Sequence, residues 1–310
     1  MTRLSVVLPT FNERENLQAM CDALASAIAP TGLDYELIFV DDNSGDGTIE
    51  MLQGLRARDP RVKYIIMSRR YGDQPCLMAG LERCSGDVAI TMDADLQHPP
   101  SYIPSMIEAW RSGVEIVVMR REEAGHASVF KRWTEIAFYR IMAALADSPI
   151  IYRFAGYALL DRKVVDALKR FPEREPFLRG LVALVGFRRL DMTYREEQRR
   201  AGRSKYSVGR LWHLAMLGFT SFSTAPLYLI LYLGIGLGGL AVIGGVALAV
   251  MYLLGVGLSF VPWTVACVVL LGAALQLVAV GVLGVYLSKV LQEVRARPTY
   301  IIGQLGGLGA

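Results

Sequence analysis

The chain has 310 residues, 53% of them hydrophobic, a net charge of +4 and four cysteines. That length allows one large domain and an appendage, and the small net charge gives no ground for a nucleic-acid partner. Cys21, Cys76, Cys84 and Cys267 lack the spacing of a zinc site or a disulfide framework, which suits a reducing cytosol.

From the start of the chain, short runs rich in Val and Ile alternate with helical patterns. A strand is predicted over Leu4–Leu8, a helix over Arg14–Ile28, a strand over Glu36–Val40 and a helix over Thr48–Arg58. Then come a strand over Val62–Met67, a helix over Gln74–Cys84, a strand over Val88–Met92, a helix over Tyr102–Ser112 and a strand over Ile116–Met119. The strand runs are almost wholly apolar, as in strands covered on both faces. Strand–helix alternation predicts an α/β fold with a mostly parallel, doubly wound sheet, whose ligands sit beyond the carboxyl ends of the strands. Past Met119 the pattern loosens. Helices are predicted over Val129–Leu145, Val164–Leu168 and Leu178–Val185, and strands over Ala158–Leu160 and Arg188–Thr193.

An amphipathic, interfacial helix is predicted over Val208–Phe222, ended by Pro226. Two long apolar stretches follow, Leu227–Leu254 and Trp263–Leu287. Each exceeds the roughly 20 residues that cross a bilayer, and no Asp, Glu, Lys or Arg occurs from Leu211 to Ser288. Arg188, Arg189, Arg195, Arg199, Arg200, Arg203, Lys205 and Arg210 crowd before the first stretch, and Lys289, Arg295 and Arg297 follow the second. Positive flanks around an uncharged connection put both ends in the cytoplasm. The basic cluster suits anionic headgroups or substrate phosphates. Met1-Thr2-Arg3-Leu4 runs directly into the first strand with no signal-like segment, which again places the first domain in the cytoplasm. The expected division is a catalytic domain over 1–206, an interfacial helix over 207–226, a transmembrane hairpin over 227–288 and a cytoplasmic tail over 289–310. Gly234, Gly236, Gly238, Gly239, Gly244 and Gly245 allow close helix packing, a route to a homo-oligomer.

Three polar clusters fall at predicted strand ends. Thr91-Met92-Asp93-Ala94-Asp95-Leu96-Gln97 releases two carboxylates one residue apart, with an amide oxygen beyond them. Such hard oxygens suit Mg²⁺ or Mn²⁺ bridged to substrate phosphates. Val40-Asp41-Asp42-Asn43-Ser44-Gly45-Asp46-Gly47-Thr48 closes a strand and opens a helix. Asp42 there can accept from a base or a ribose hydroxyl, whereas Asp46 and Thr48 suit helix capping. In Pro9-Thr10-Phe11-Asn12-Glu13, Pro9 and Phe11 offer an apolar wall for a planar base, and Glu13 favours the start of the next helix.

These clusters and their spacing resemble glycosyltransferase family 2, of GT-A fold. The likeness is strongest to its branch of dolichol-phosphate mannose synthases and bacterial polyprenyl-phosphate glycosyltransferases. Ser68-Arg69-Arg70-Tyr71-Gly72, Ala79-Gly80-Leu81, Asp93–Pro100, the set Arg199, Gly202, Ser204 and Lys205, and Phe222-Ser223 followed by Pro226-Leu227 all carry the likeness. The resemblance implies that Pro9, Phe11, Glu13 and Asp42 hold the nucleoside of a nucleotide-sugar, and that Asp93 and Ala94 line the donor. It implies that Asp95 and Gln97 bind the metal, and that Arg120, Arg199, Ser204 and Lys205 hold phosphates. Asp95, Arg199 and Lys205 are then the catalytic set, in an inverting transfer to polyprenyl (undecaprenyl) phosphate at the inner membrane. Two positions depart from the pattern. Where the bacterial branch carries Gly-Asp-Phe-Arg-Leu, this chain has Gly156-Tyr157-Ala158-Leu159-Leu160, so Tyr157 stands at a candidate catalytic or acceptor-contact position. Glu123 stands where a family arginine is expected. A catalytically silent membrane scaffold and a processive polysaccharide synthase are the alternatives. Against the second, Val129 precedes Arg132-Trp133 where a Gln is needed, and only two spans are predicted.

Overall fold

A computed structural model describes residues 2–122, 154–171, 177–195, 225–255 and 261–308. The predicted helices over Val129–Leu145 and Val208–Phe222 lie outside these residues. Eight strands form one sheet: β1 (Arg3–Thr10), β2 (Asp34–Asp41), β3 (Val62–Met67), β4 (Val88–Thr91), β5 (Ile116–Arg121), β6 (Phe154–Asp161), β7 (Arg189–Tyr194) and β8 (Ile302–Gly306). Their order across the sheet is β7-β5-β6-β4-β1-β2-β3-β8. Pairings β4–β1, β1–β2, β2–β3 and β5–β7 are parallel, while β6 and β8 run antiparallel to their neighbours. The result is a mixed α/β sheet, with two antiparallel members where the alternation alone predicts a mostly parallel sheet.

The helices are α1 (Leu17–Ile28), α2 (Thr48–Arg58), α3 (Asp73–Arg83), α4 (Ile103–Arg111), α5 (Arg162–Leu168), α6 (Leu178–Leu184), α7 (Ala225–Leu253) and α8 (Val261–Arg295). Strand side chains alternate between two apolar layers, as the period of two requires. Leu4, Val6 and Leu8 of β1 and Leu37 and Phe39 of β2 pack with Leu17, Met20 and Leu24 of α1 and with Leu52, Ile103 and Met106. Val7, Ile38, Val40, Ile65 and Met67 point the other way, onto Cys76 and Leu77 of α3, Val164 and Leu168 of α5 and Leu181 of α6. Fully burying one such side chain contributes roughly 1.5–3 kcal/mol, so the two layers account for the central strands being apolar on both faces. Gly80 lets α3 approach the sheet: a Cβ there would collide with the Val7 side chain.

The start of α1 and the segment after the second span differ from the sequence expectation. Helix α1 begins at Leu17 rather than Arg14, because Asn16 N–H turns back to the Glu13 carbonyl at 2.9 Å. The segment expected to be a tail after the second span contributes β8, which pairs antiparallel with β3 from Met67↔Ile302 to Tyr64↔Gly306. Helices α7 and α8 are long and apolar enough to cross a membrane, over Ile230–Leu253 and Val268–Arg295, and neither stretch is buried in the protein.

Candidate active site

Strands β1, β2 and β4 are neighbours, and the three polar clusters leave them at the same edge of the sheet. Each departing loop holds a non-glycine residue in the left-handed region: Asn12 at φ 54°, Asn43 at φ 59° and Leu96 at φ 64°. Asn tolerates that conformation, whereas for Leu96 it costs roughly 1–3 kcal/mol. That strain sits inside the candidate metal motif.

The first two loops are bonded to one another. Asn12 N–H donates to Ser44 Oγ at 2.8 Å, Glu13 N–H to Thr48 Oγ1 at 3.1 Å and Gly45 N–H to Asn12 Oδ1 at 3.1 Å. Asp41 accepts from Ser44 N–H at 2.8 Å and Ser44 Oγ–H at 2.5 Å, and Asp46 accepts from Thr48 N–H and Oγ–H at the mouth of α2. Those two carboxylates are therefore structural. Asp42 is 3% exposed. It accepts from Tyr71 N–H at 2.6 Å and Gly72 N–H at 2.9 Å, with Arg70 Nε at 3.7 Å. Burial pushes its pKa up, against the pull of those two amides and Arg70. Arg70 also lies over the Phe11 ring, 3.9 Å from its centroid. Phe11, Asp42 and Arg70, drawn from three successive strand ends, thus meet at one place.

Pro9 is buried within β1. The β1–β4 pairing ends at Val7↔Thr91, so the missing proline N–H breaks no bond of that ladder. Pro9 is therefore a buried strand residue rather than an exposed contact. Glu13 is half-buried and accepts from Asn16 Nδ2 at 2.6 Å, at the approach to α1.

After β4, the Asp93 side chain is 51% exposed, whereas Asp95 is 4% exposed and accepts from Gln97 N–H at 3.1 Å. Ala94 and Leu96 are buried, and Gln97 is partly exposed. Asp93, Asp95 and Gln97 supply hard oxygens at one strand end. Among the described residues no three His, Cys, Asp or Glu side chains form a cage. The donor set therefore fits a cation whose coordination is completed by substrate phosphates. His98, to which sequence reasoning gave no role, organises this loop. Its Nδ1 accepts from Asp93 N–H at 3.0 Å, and its Nε2 is 3.8 Å from Asp93 Oδ2. The sequence signal was present, since His98 lies in the Asp93–Pro100 motif, but no charge pattern revealed its orientation.

Arg120, next to the end of β5, reaches Asp191 of β7 at 3.4 Å. It lies at the same edge as the loop after β4, across β6. Arg199, Ser204, Lys205 and Glu123 lie outside the described residues. Tyr157 requires a correction. It is 0% exposed, its hydroxyl donates to the Pro99 carbonyl at 2.9 Å and its ring stacks on His98 at 5.1 Å and meets Tyr194 edge-on at 5.7 Å. Burial pushes the phenol pKa well up. The position where the resemblance implies an acceptor contact is here a buried side chain that packs behind the Asp93–Pro100 loop and supports it.

A family model for Glycosyl transferase family 2 matches residues 5–169. An uncharacterized glycosyltransferase of Bacillus subtilis is 36% identical over 306 residues, covering 98% of this chain and 94% of that protein. The SfII prophage-derived bactoprenol glucosyl transferase of Shigella flexneri is 33% identical over 301 residues, covering 97% of each chain. A crystal structure of glucosyl-3-phosphoglycerate synthase from Mycobacterium tuberculosis aligns at TM-score 0.48 and 22% identity, over 71% of this chain and 76% of that one.

Proposed function

The chain belongs to glycosyl transferase family 2 and is a glycosyltransferase, and from that premise we propose that it moves a sugar from a nucleotide-sugar, a UDP-sugar, onto undecaprenyl phosphate with inversion. The observation that carries this reading is the full-length likeness to a bactoprenol glucosyl transferase, which extends beyond the catalytic sheet through α7 and α8. The division of labour follows: residues 1–206 catalyse, 207–226 lie in the interface, 227–288 anchor the protein in the inner membrane with both termini cytoplasmic, and the chain beyond 289 returns to the catalytic domain. Lipid-linked sugars of this kind feed modification of the cell envelope, lipopolysaccharide or O-antigen.

Phe11, with the buried Pro9 of the same strand end, supplies an apolar face for the base, with Asp42 and Arg70 beside it and Glu13 bracing the loop. Ala94 and Asp93 line the sugar-diphosphate side. Asp95 and Gln97, with Asp93, would hold Mg²⁺ or Mn²⁺. A divalent cation there would offset the charge that develops on the leaving diphosphate. Arg120, Arg199, Ser204 and Lys205 are assigned to phosphates of donor or acceptor, where fixed cations favour the developing charge. The acceptor phosphate has a second pKa of about 6 and is largely dianionic at neutral pH. It needs no general base, which agrees with a tyrosine rather than an acid at 157.

The test is a donor panel. Purified full-length protein in vesicles containing undecaprenyl phosphate is offered UDP- and GDP-sugars, and lipid-linked sugar is measured. Product with a UDP-sugar, lost on chelation, is expected. No product with any donor, from protein that still binds nucleotide, would refute the proposal in favour of a silent scaffold.

A further inference from the structure

Helix α8 is a single 35-residue helix, about 52 Å long at 1.5 Å per residue. A hydrocarbon core needs only about 30 Å. Its last turns carry Lys289, Glu293 and Arg295, so on the reading that α7 and α8 span the bilayer, the helix continues rigidly past the membrane surface. It ends at Ala296, whose φ is 49° and whose N–H donates to the Glu293 carbonyl at 3.1 Å. Six residues, Ala296–Ile301, then lead into β8. They are not a slack linker. The Tyr300 hydroxyl donates to the Glu82 carboxylate, and Ser68 N–H donates to the Ile301 carbonyl at 2.9 Å. Tyr300, Ile302, Leu305 and Leu308 pack on the α3 side of the core.

The register of β8 decides where this chain meets the sheet. Ile302 pairs with Met67 at the carboxyl end of β3, and Gly306 pairs with Tyr64 nearer its amino end. The strand coming from the membrane helix therefore joins the sheet at the edge where the loops after β1, β2 and β4 gather. A link of this length reaches at most about 22 Å. Successive strands are about 4.8 Å apart, so the end of β4, three strands from β3, lies about 15 Å from the joining point. We propose that β8 is a tether that turns the carboxyl edge of the sheet toward the bilayer and sets the reach between the Asp93–Gln97 loop and a phosphate on a membrane-embedded lipid. The inference rests on the membrane reading above and adds to it the element that orients the site.

The experiment measures orientation apart from activity. The protein, with its four native cysteines replaced by alanine, carries one dye at Ser68→Cys, at the carboxyl end of β3, or at Ala57→Cys, at the opposite end near Pro60. Both positions are exposed. Energy transfer to headgroup-labelled lipids is read in vesicles. A second set carries a ten-residue Gly/Ser insertion between Arg297 and Pro298, which keeps both α8 and β8. The expected result is stronger transfer from position 68 than from position 57, a difference at least halved by the insertion. With the insertion, turnover of undecaprenyl phosphate in vesicles should fall at least tenfold, while turnover of a water-soluble short-chain prenyl phosphate stays within twofold. Equal or reversed transfer from the two positions, or an insertion that changes neither transfer nor vesicle turnover, would overturn the tether. Protein that does not stay with vesicles would overturn it together with the membrane reading. The expected transfer pattern in protein that turns over no acceptor would support the tether and sink the proposed reaction instead.

Discussion

Tyr157 shows how far a single position can be read. Its place in the chain marks it as a departure from an acidic pattern, yet sequence gives no account of where a strand residue points. Its partners are the Pro99 carbonyl, His98 and Tyr194, all behind the loop that carries Asp93 and Asp95. Tyr157→Phe removes one buried hydrogen bond and leaves the Pro99 carbonyl without it. That loss costs about 1–2 kcal/mol and should lower Tm by roughly 4 °C, with turnover changed less than about tenfold. Tyr157→Asp would bury an unpaired carboxylate, which is far more costly, so it should unfold the domain rather than weaken acceptor binding; thermal melts and acceptor titrations on the folded fraction distinguish the two. Asp95→Ala is a different case. Its carboxylate leaves a strand end and accepts from Gln97 N–H in the loop itself, so the variant should fold, bind nucleotide and lose metal-dependent transfer by at least about a hundredfold. Near-normal turnover would remove Asp95 from the metal site. The clusters holding Phe11, Asp42 and Asp95 were legible because they combine a strand end with polar residues. His98 and Arg70 were not, because their roles come from orientation: one accepts from Asp93 N–H and the other lies over Phe11.

Elements were most legible where apolar period and covering helix agree, and Thr48–Arg58 and Val62–Met67 begin and end where the sequence places them. β8 was missed because Ile302–Gly306 holds two glycines and one glutamine in five residues, so its only strand signal is the partner edge it meets. Edge strands are defined by pairing that local pattern does not encode. A similar long-range dependence governs Glu36 on β2, at the sheet edge opposite the candidate site. It is a charged residue in an apolar run, 1% exposed. It accepts from Ser5 Oγ–H at 2.6 Å, Ser85 N–H at 2.7 Å and the Lys63 ammonium. Burial alone would raise its pKa, but the bonds from Lys63, Ser5 and Ser85 together bring it below the ordinary value. A carboxyl with a lowered folded pKa stabilises the fold above its unfolded value, about 4.3, and loses that contribution as pH falls through the folded value. Glu36→Gln should therefore cost about 2 kcal/mol at pH 7 and make the slope of stability against pH below about 4.3 shallower than in the wild-type chain. Urea melts at several pH values would show it. An unchanged slope would mean that Glu36 is not ionised in the folded protein.

At the scale of the whole molecule, the catalytic sheet is not contiguous in sequence. The order β4-β1-β2-β3 is complete by residue 91, β5, β6 and β7 add strands on one side, and the other side is closed by β8 only after both apolar helices. Composition alone divides the chain cleanly before Leu211, and that boundary invites truncation to obtain a soluble domain. The β3–β8 pairing makes such a truncation costly. Ending the chain at Ser207 removes the hairpin, but it also strips β8 from β3, exposing the backbone edge of Val62–Met67 and the apolar surface that Tyr300, Ile302, Leu305 and Leu308 cover. An uncovered, apolar edge strand is a template for pairing with another chain. Losing four partly buried apolar side chains and the edge ladder costs roughly 3 kcal/mol, equivalent to a fall in Tm of about 6–12 °C for a domain of this size. The truncated domain should thus bind nucleotide-sugar when folded but melt early and self-associate. Joining residues 298–308 to the truncated chain through a flexible linker should recover most of the lost Tm and restore the monomer, without restoring transfer to a lipid in a bilayer. Melting curves and size-exclusion profiles of the two truncated proteins, measured side by side, decide it. Equal stability with and without the restored strand would mean that β8 covers the edge without supporting the fold.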